Sequence, residues 1–167
     1  MQHREVLNAA ARWLSNPFQR AVMRECGLPT YDRADIVAFD VATNDVRIVE
    51  VKASVADARH LLEQLERYRP WCDYLYVAVP EALSTTIPQL PKGVGLIVAR
   101  YSGQTIYGRL VRRPRRSTMD DEHRRKMQRR TLTWLLAFYT KGMIASKKAW
   151  TDGDEWTPGE ALRAMEE

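Results

Sequence analysis

The sequence predicts a single α/β domain in which a mixed central sheet is flanked by helices. Its 167 residues match the length of one ordinary domain, and 45% of them are hydrophobic, enough for one packed core. Short β-branched runs alternate with segments whose apolar residues recur at helical spacing. The predicted order is α-β-β-α-β-β-β, with an added C-terminal helix.

The first elements follow from the N-terminal third of the chain. Apolar residues at helical spacing predict a helix from Glu5 to Leu14, and Pro17 then breaks the pattern. Two β-branched runs, Asp35 to Asp40 and Val46 to Lys52, predict strands. Because Thr43-Asn44-Asp45 has hairpin-turn chemistry, we expect these strands to be antiparallel.

A second helix and three further strands complete the predicted core. Ser54 and Asp57 resemble a capping box, which predicts a helix that lies across the sheet and ends before Pro70. Three later apolar runs predict strands at residues 73–79, 94–100 and 104–111.

The C-terminal third is predicted to be helical. A long helix is expected from Asp120 to Lys141, with Gly142 as its stop, and a short acidic helix is expected to begin at Thr157. We therefore divide the chain into a core, residues 1–113, and an added segment, residues 114–167, that packs on it as part of one domain.

Positive charge is concentrated in one stretch of the chain. From Arg109 to Arg130 there are ten Lys or Arg residues against three acidic ones, a local charge of +7 within a net charge of +5. Such a stretch fits a polyanion partner, although a solvated basic face is the alternative. If the partner is a nucleic acid, the candidate phosphate contacts are Arg112, Arg113, Arg115, Arg116, Arg124, Arg125, Arg129 and Arg130.

Other classes of protein are disfavoured. No N-terminal leader is evident and the apolar runs are too short to cross a bilayer, so we expect a cytoplasmic protein without membrane contact. Cys26 and Cys72 lie far apart, with no C-x-x-C spacing, which argues against a disulfide framework or a structural zinc site. Both thiols are expected to be buried.

The predicted hairpin carries a candidate metal centre. Side chains alternate along a strand, so Glu50 and Lys52 share one face. Asp35 on the paired strand can lie across from them, and the backbone carbonyl of Val51 adds another oxygen. Oxygen ligands of this kind suit Mg²⁺ or Mn²⁺. The alternative is a same-face ion pair between Glu50 and Lys52 at an exposed strand end.

These residues resemble a known signature. Asp35-Ile-Val-Ala-Phe-Asp40 followed by Ile48-Val-Glu50-Val-Lys52 is similar to the D…(D/E)xK motif of PD-(D/E)XK nucleases, with Ala34 where a proline commonly precedes the aspartate. From about Arg33 to Arg113 the chain resembles the MmcB-like DNA-repair subfamily in particular. The resemblance implies a restriction-endonuclease-like core, with Asp35 and Glu50 as metal ligands and Lys52 as a catalytic residue.

The second helix adds to the resemblance. Gln64 and Tyr68, four residues apart on one helix face, are similar to the QxxxY element of RecB-type members. In those proteins the glutamine approaches the metal site and the tyrosine contacts DNA. A helix glutamate sometimes completes the metal shell in this superfamily, which makes Glu5 a further candidate ligand. The alternative for Glu5 is a first-turn acid favoured by the helix dipole.

Three functional hypotheses follow. The leading one is a Mg²⁺- or Mn²⁺-dependent DNA nuclease acting in repair, recombination or defence, with Asp35, Glu50, Lys52 and Gln64 at the centre. The second is an inactive DNA-binding accessory protein on the same fold, with a protein partner at the acidic C-terminal segment. The third is a module that binds RNA or protein. Superfamily members often act as dimers, so the resemblance also raises a homodimer.

Overall fold

The computed structural model describes residues 1–15, 20–87 and 89–144, with side chains through residue 137. Three α-helices and six strands lie in these ranges. The helices are α1 (His3–Leu14), α2 (Leu61–Tyr68) and α3 (Asp121–Ile144). The strands are β1 (Arg20–Gly27), β2 (Arg33–Asp40), β3 (Val46–Val51), β4 (Tyr74–Pro80), β5 (Gly95–Ser102) and β6 (Thr105–Arg112).

All six strands form one mixed sheet in the order β1-β2-β3-β4-β5-β6. The first three strands pair antiparallel, β3, β4 and β5 run parallel, and β6 returns antiparallel to β5. The connection from β3 to β4 contains α2, as a parallel crossover requires. The predicted α/β class and mixed sheet are confirmed.

Among the described α-helices and strands, β1 is the one that the sequence prediction missed. It pairs with β2 from Arg20 opposite Asp40 to Gly27 opposite Arg33. Its apolar residues do not alternate regularly, because Glu25 has a positive φ of 50° and interrupts the extended conformation. As a result Met23 and Cys26 pack in the same core cluster, although strict alternation would place them on opposite faces.

The sheet is covered on both faces. Helix α1 packs on one face, where Val6 and Leu14 meet Ile36 and Val49. Helices α2 and α3 lie over the other face, where a second cluster contains the buried residues Ile48, Leu65, Tyr68, Met119 and Met127. Glu50 follows Ile48 at the alternate position on β3, and Lys52 continues the alternation directly after the strand, so both point toward the α2 side.

Several local predictions can be compared with the structure. Asn44 has a positive φ of 59° in the turn between β2 and β3, as the turn chemistry predicts. The Ser54 hydroxyl accepts the N–H of Asp57 at 3.1 Å, but the chain first forms a 3-10 turn and α2 begins only at Leu61. Helix α3 continues through Gly142 to Ile144. The predicted helix at Thr157 lies outside the described residues.

Both cysteines are buried, as predicted, and neither forms a disulfide. Burial raises the pKa of the Cys26 thiol to about 11 and that of the Cys72 thiol to about 12. Neither thiol is therefore ionised near neutral pH.

A buried carboxylate ties α3 to the sheet where β3 and β4 begin. Asp73 accepts the Val46 N–H at 2.8 Å and receives both terminal nitrogens of Arg124, at 2.8 and 3.0 Å. Arg116 bridges the same region by donating to Asp45 at 2.7 Å. Burial alone would raise the pKa of Asp73, but the hydrogen bonds from Arg124 and Val46 outweigh it and hold the pKa below its usual value.

We expect Asp73→Ala to lower the free energy of unfolding by about 3 kcal/mol, because the Arg124 guanidinium and the Val46 N–H both lose their carboxylate acceptor. Urea unfolding measures the change. Glu122→Gln is the matched control, because Glu122 pairs with Lys126 in solvent and its loss leaves the midpoint unchanged.

The pair of Asp73 and Arg124 predicts that the free energy of unfolding depends on pH. A lowered folded-state pKa means that Asp73 stabilises the fold above the unfolded value of about 4, and that this stabilisation is lost as the pH falls through the folded value. The difference in the free energy of unfolding between wild type and Asp73→Ala should therefore become smaller at acidic pH. If this difference in the free energy of unfolding stays constant from neutral pH to pH 3, the carboxylate charge of Asp73 is not what stabilises the fold.

Candidate metal centre

The opposite end of the sheet, where β3 ends and β2 begins, carries the predicted acidic residues. Ile36 pairs with Val49 in the antiparallel register, and the next step along the two strands brings Asp35 alongside Glu50. Asp35 Oδ2 accepts the backbone N–H of Val51 at 2.6 Å. The structure thus brings together the two carboxylates that the sequence analysis selected.

Glu50 is a buried carboxylate that is only half satisfied. Its side chain is 4% exposed, and Oε1 accepts a hydrogen bond from Lys52 Nζ at 2.8 Å. Oε2 is buried and has no hydrogen-bond partner among the described residues. A buried carboxylate oxygen without a partner is costly, and such an orphan atom requires an explanation.

The electrostatics of the pair reflect this burial. Burial, followed by the nearby negative charge of Asp35, raises the pKa of Glu50 to about 7, although Lys52 works in the opposite direction. Burial also raises the pKa of Asp35, against the hydrogen bond from Val51. Burial is the largest cause of both shifts, and a bound cation would oppose it by favouring the ionised carboxylates.

Lys52 is held between two carboxylates. Besides Glu50, its Nζ lies 3.7 Å from Asp57 Oδ1, and the other oxygen of Asp57 accepts the Ala53 N–H at 3.1 Å. The lysine is therefore buried with its ammonium fixed in place. The solvent-exposed ion pair weighed as the alternative does not describe this geometry, because both partners are buried.

Gln64 lies on α2 as predicted, and its Oε1 is a second buried atom without a hydrogen-bond partner in the described part of the chain. Tyr68, four residues later, departs from the prediction. It is only 1% exposed, and its hydroxyl donates to the Arg33 carbonyl at 2.9 Å. A ring buried in the core cannot stack on a base, so the predicted DNA contact of Tyr68 is not supported; its hydroxyl instead lies near Glu50 and lowers the pKa of that carboxyl.

Glu5 does not reach the centre. It accepts the Gln2 N–H at 2.6 Å and the Tyr101 hydroxyl at 2.9 Å, so it caps the first turn of α1. These contacts fit the first-turn alternative and do not support the idea that Glu5 completes a metal shell. The residue of α1 that does approach is His3, whose Nε2 lies 3.7 Å from Asp35 Oδ1.

His3 and Glu25 are the residues that sequence reasoning missed. One ligand atom each from His3, Glu25 and Asp35 lies within 4.8 Å of the others. Glu25 belongs to β1, the strand that was not predicted, and His3 precedes the predicted start of α1. No local motif joins residues 3, 25 and 35, so no sequence signal marked them as neighbours.

Half of the predicted phosphate-binding arginines are held by protein groups. They are Arg112, Arg116, Arg124 and Arg130. Arg112 donates to the carbonyls of Val94 and Pro91 at 2.7 and 2.5 Å, and Arg130 donates to the Gly27 carbonyl at 2.9 Å. Arg112 and Arg130 thus fasten a loop and α3 to the sheet, a structural use that the charge pattern could not reveal.

The other four arginines are exposed, and none of their side chains forms a hydrogen bond or ion pair with a described residue. They are Arg113, Arg115, Arg125 and Arg129. Arg113 and Arg115 follow β6 at the end of the sheet where β3 begins. Val46, at that end, is four residues from Glu50, or about 13 Å along an extended strand. Arg113 and Arg115 therefore lie near the opposite end of the sheet from the acidic centre.

The donor set fits a hard divalent cation. Asp35 and Glu50 supply carboxylate oxygens, and Oε2 of Glu50 has no hydrogen-bond partner among the described residues; the role of Gln64 stays a prediction. The role of the Val51 carbonyl stays a prediction; its N–H is committed to Asp35.

A comparison with protein families gives the decisive match. The model described as "DNA repair protein MmcB-like" matches residues 2–140 of this chain. The chain belongs to the MmcB-like family. Membership places it among DNA repair proteins and agrees with a PD-(D/E)XK fold. No curated protein matches the sequence.

The fold of this MmcB-like protein is shared with a solved structure, the SPO1766 protein of unknown function from Silicibacter pomeroyi. The two chains are 19% identical, the TM-score is 0.69, and the match covers 92% of this chain and 97% of the other. At this identity the likeness concerns the fold alone. In the described residues, none of the helices combines the length and the apolarity that a bilayer crossing would need.

We expect Glu50→Gln to leave the free energy of unfolding unchanged or to raise it by about 1 kcal/mol, measured with urea in the presence of a chelator. The amide keeps an acceptor for Lys52 but removes a buried charge that lacks full compensation. A loss comparable to that of Asp73→Ala would contradict this expectation and make the pair a structural one.

Proposed function

We propose that this MmcB-like protein is a metal-dependent DNA nuclease that hydrolyses phosphodiester bonds during DNA repair. One observation carries the proposal: Glu50, buried beside Asp35 and Lys52, keeps a carboxylate oxygen that no described residue satisfies. Natural proteins tolerate such destabilising arrangements mainly at functional sites.

Each residue has a distinct task in this proposal. Asp35 and Glu50 would hold Mg²⁺ or Mn²⁺, with the Val51 carbonyl as a further oxygen. Bound there, the ion would polarise the phosphodiester and neutralise developing negative charge. Lys52, fixed by Glu50 and Asp57, would orient the attacking water, and Gln64 would position the phosphate or complete the centre.

Two independent supports point to DNA as the partner. The family carries the description of a DNA repair protein. The four free arginines are exposed, and they would bind phosphates without reading the base sequence.

The accessory hypothesis keeps one specific observation in its favour. Because Arg113 and Arg115 lie away from the acidic centre, DNA binding through these two arginines does not require a working centre. Binding and cleavage must therefore be measured separately.

We expect the wild-type protein to cleave DNA with Mg²⁺ or Mn²⁺, and Asp35→Ala and Lys52→Ala to reduce the rate by about 10²-fold or more. The substrates are plasmid, single-stranded, nicked and branched DNA. Asp121→Asn and Lys92→Ala are the matched controls, since both residues are exposed and distant in sequence from the centre.

Cleavage that survives chelation, or that Asp35→Ala leaves unaltered, would overturn the nuclease proposal. Tight DNA binding by a wild type that cuts none of the substrates would favour the accessory hypothesis instead.

We expect Arg113→Ala and Arg115→Ala each to weaken DNA binding and to reduce the salt dependence of the binding constant by roughly one phosphate contact. Fluorescence anisotropy over a range of salt concentrations measures both quantities. Arg12→Ala, an exposed arginine on α1, is the control. If a variant with both substitutions keeps the wild-type salt dependence, Arg113 and Arg115 do not contact the DNA.

A further inference from the structure

Asp35 contacts a second group of side chains besides Glu50. Its Oδ2 accepts the Val51 N–H at 2.6 Å, while its Oδ1 lies 3.7 Å from Nε2 of His3. Glu25 supplies a third ligand atom, and the three atoms lie within 4.8 Å of one another. Two ligands on opposite sides of a divalent cation are about 4–5 Å apart, so this spacing suits one ion.

The three side chains come from three separate elements. His3 opens α1, Asp35 belongs to β2, and Glu25 belongs to β1, where its left-handed backbone breaks the strand alternation. Arg33 Nε forms an ion pair with Glu25 Oε2 at 2.9 Å. The side chains of His3 and Glu25 are 43% and 31% exposed, so an ion from solvent can reach them.

An independent observation points to a cation at this end of the sheet. Glu50 lies alongside Asp35, its side chain is 96% buried, and its Oε2 has no hydrogen-bond partner among the described residues. The carboxylates of Glu25 and Glu50 thus both lie close to Asp35, while the nearby cations Lys52 and Arg33 are already paired with Glu50 and Glu25. This excess of negative charge favours the binding of a cation.

We infer that His3, Glu25 and Asp35 form a second divalent-cation position, which shares Asp35 with the Glu50 position and takes a transition-metal ion such as Mn²⁺ in preference to Mg²⁺. Imidazole nitrogen is a good ligand for transition metals, whereas Mg²⁺ keeps oxygen ligands and several waters. The role of this position in DNA cleavage rests on the proposed function, but its existence does not.

The test uses the untagged full-length chain, so that no affinity tag supplies histidines. Mn²⁺ binding is measured by calorimetry, and pulsed EPR detects coupling between the bound Mn²⁺ and a ¹⁴N nucleus. We expect nitrogen coupling in wild type and its loss in His3→Ala. Because losing a supporting residue alone typically weakens metal binding about 10–100-fold, Glu25→Gln should weaken it by at least about 10-fold.

Matched variants separate the positions. His60→Ala removes an exposed histidine that pairs with Glu63, and it should keep the wild-type coupling and affinity. Glu50→Gln should retain the nitrogen-coupled Mn²⁺ while losing the neighbouring ion. Excess Mg²⁺ should displace Mn²⁺ from the Glu50 position before it displaces the nitrogen-coupled ion.

The inference is overturned if Mn²⁺ binds wild type without nitrogen coupling. It is also overturned if wild type and His3→Ala bind Mn²⁺ with the same affinity. Cleavage with Mg²⁺ in that case would leave the nuclease proposal standing. Conversely, nitrogen-coupled Mn²⁺ in a protein that cuts no DNA would sustain the second position and remove the nuclease proposal.

Discussion

The antiparallel register between β2 and β3 is the constraint on which the candidate centre depends. It brings Asp35 beside Glu50, and the hydrogen bond from Val51 to Asp35 holds the aspartate at that position. A slip of one residue would turn Glu50 and Lys52 to the α1 face and put Val49 and Val51 in their place. The buried apolar residues on both faces of β3 prevent such a slip, because they would be exchanged as well.

The two ends of the sheet use buried carboxylates in opposite ways. Asp73 is fully satisfied by Arg124 and Val46, its pKa is lowered, and it binds α3 to the sheet. Glu50 is half satisfied, because Oε2 has no hydrogen-bond partner among the described residues, and its pKa is raised. A buried carboxylate thus contributes to stability where its hydrogen bonds are complete. At Glu50 they are incomplete, and one oxygen lacks a hydrogen-bond partner among the described residues.

The basic stretch illustrates how the fold redistributes charge. In the sequence eight arginines formed one candidate surface, yet Arg112 and Arg130 bind backbone carbonyls and Arg116 and Arg124 bind aspartates. Guanidinium groups suit both uses, because they donate to carbonyls and carboxylates as readily as to phosphates. Which arginines remain free depends on the acceptors that the fold brings near them.

The sequence by itself determined the features that depend on local periodicity. Alternation along β3 put Glu50 and Lys52 on one face, and the turn around Asn44 paired them with the strand that carries Asp35. The tertiary structure decided the contacts between distant segments. It paired β1 with β2 and placed His3 and Glu25 close to Asp35. It also gave Glu5 a contact with Tyr101 and buried the ring of Tyr68. The physical reason is that side-chain direction within a strand or turn follows from neighbouring residues, whereas proximity between elements follows from packing of the whole core.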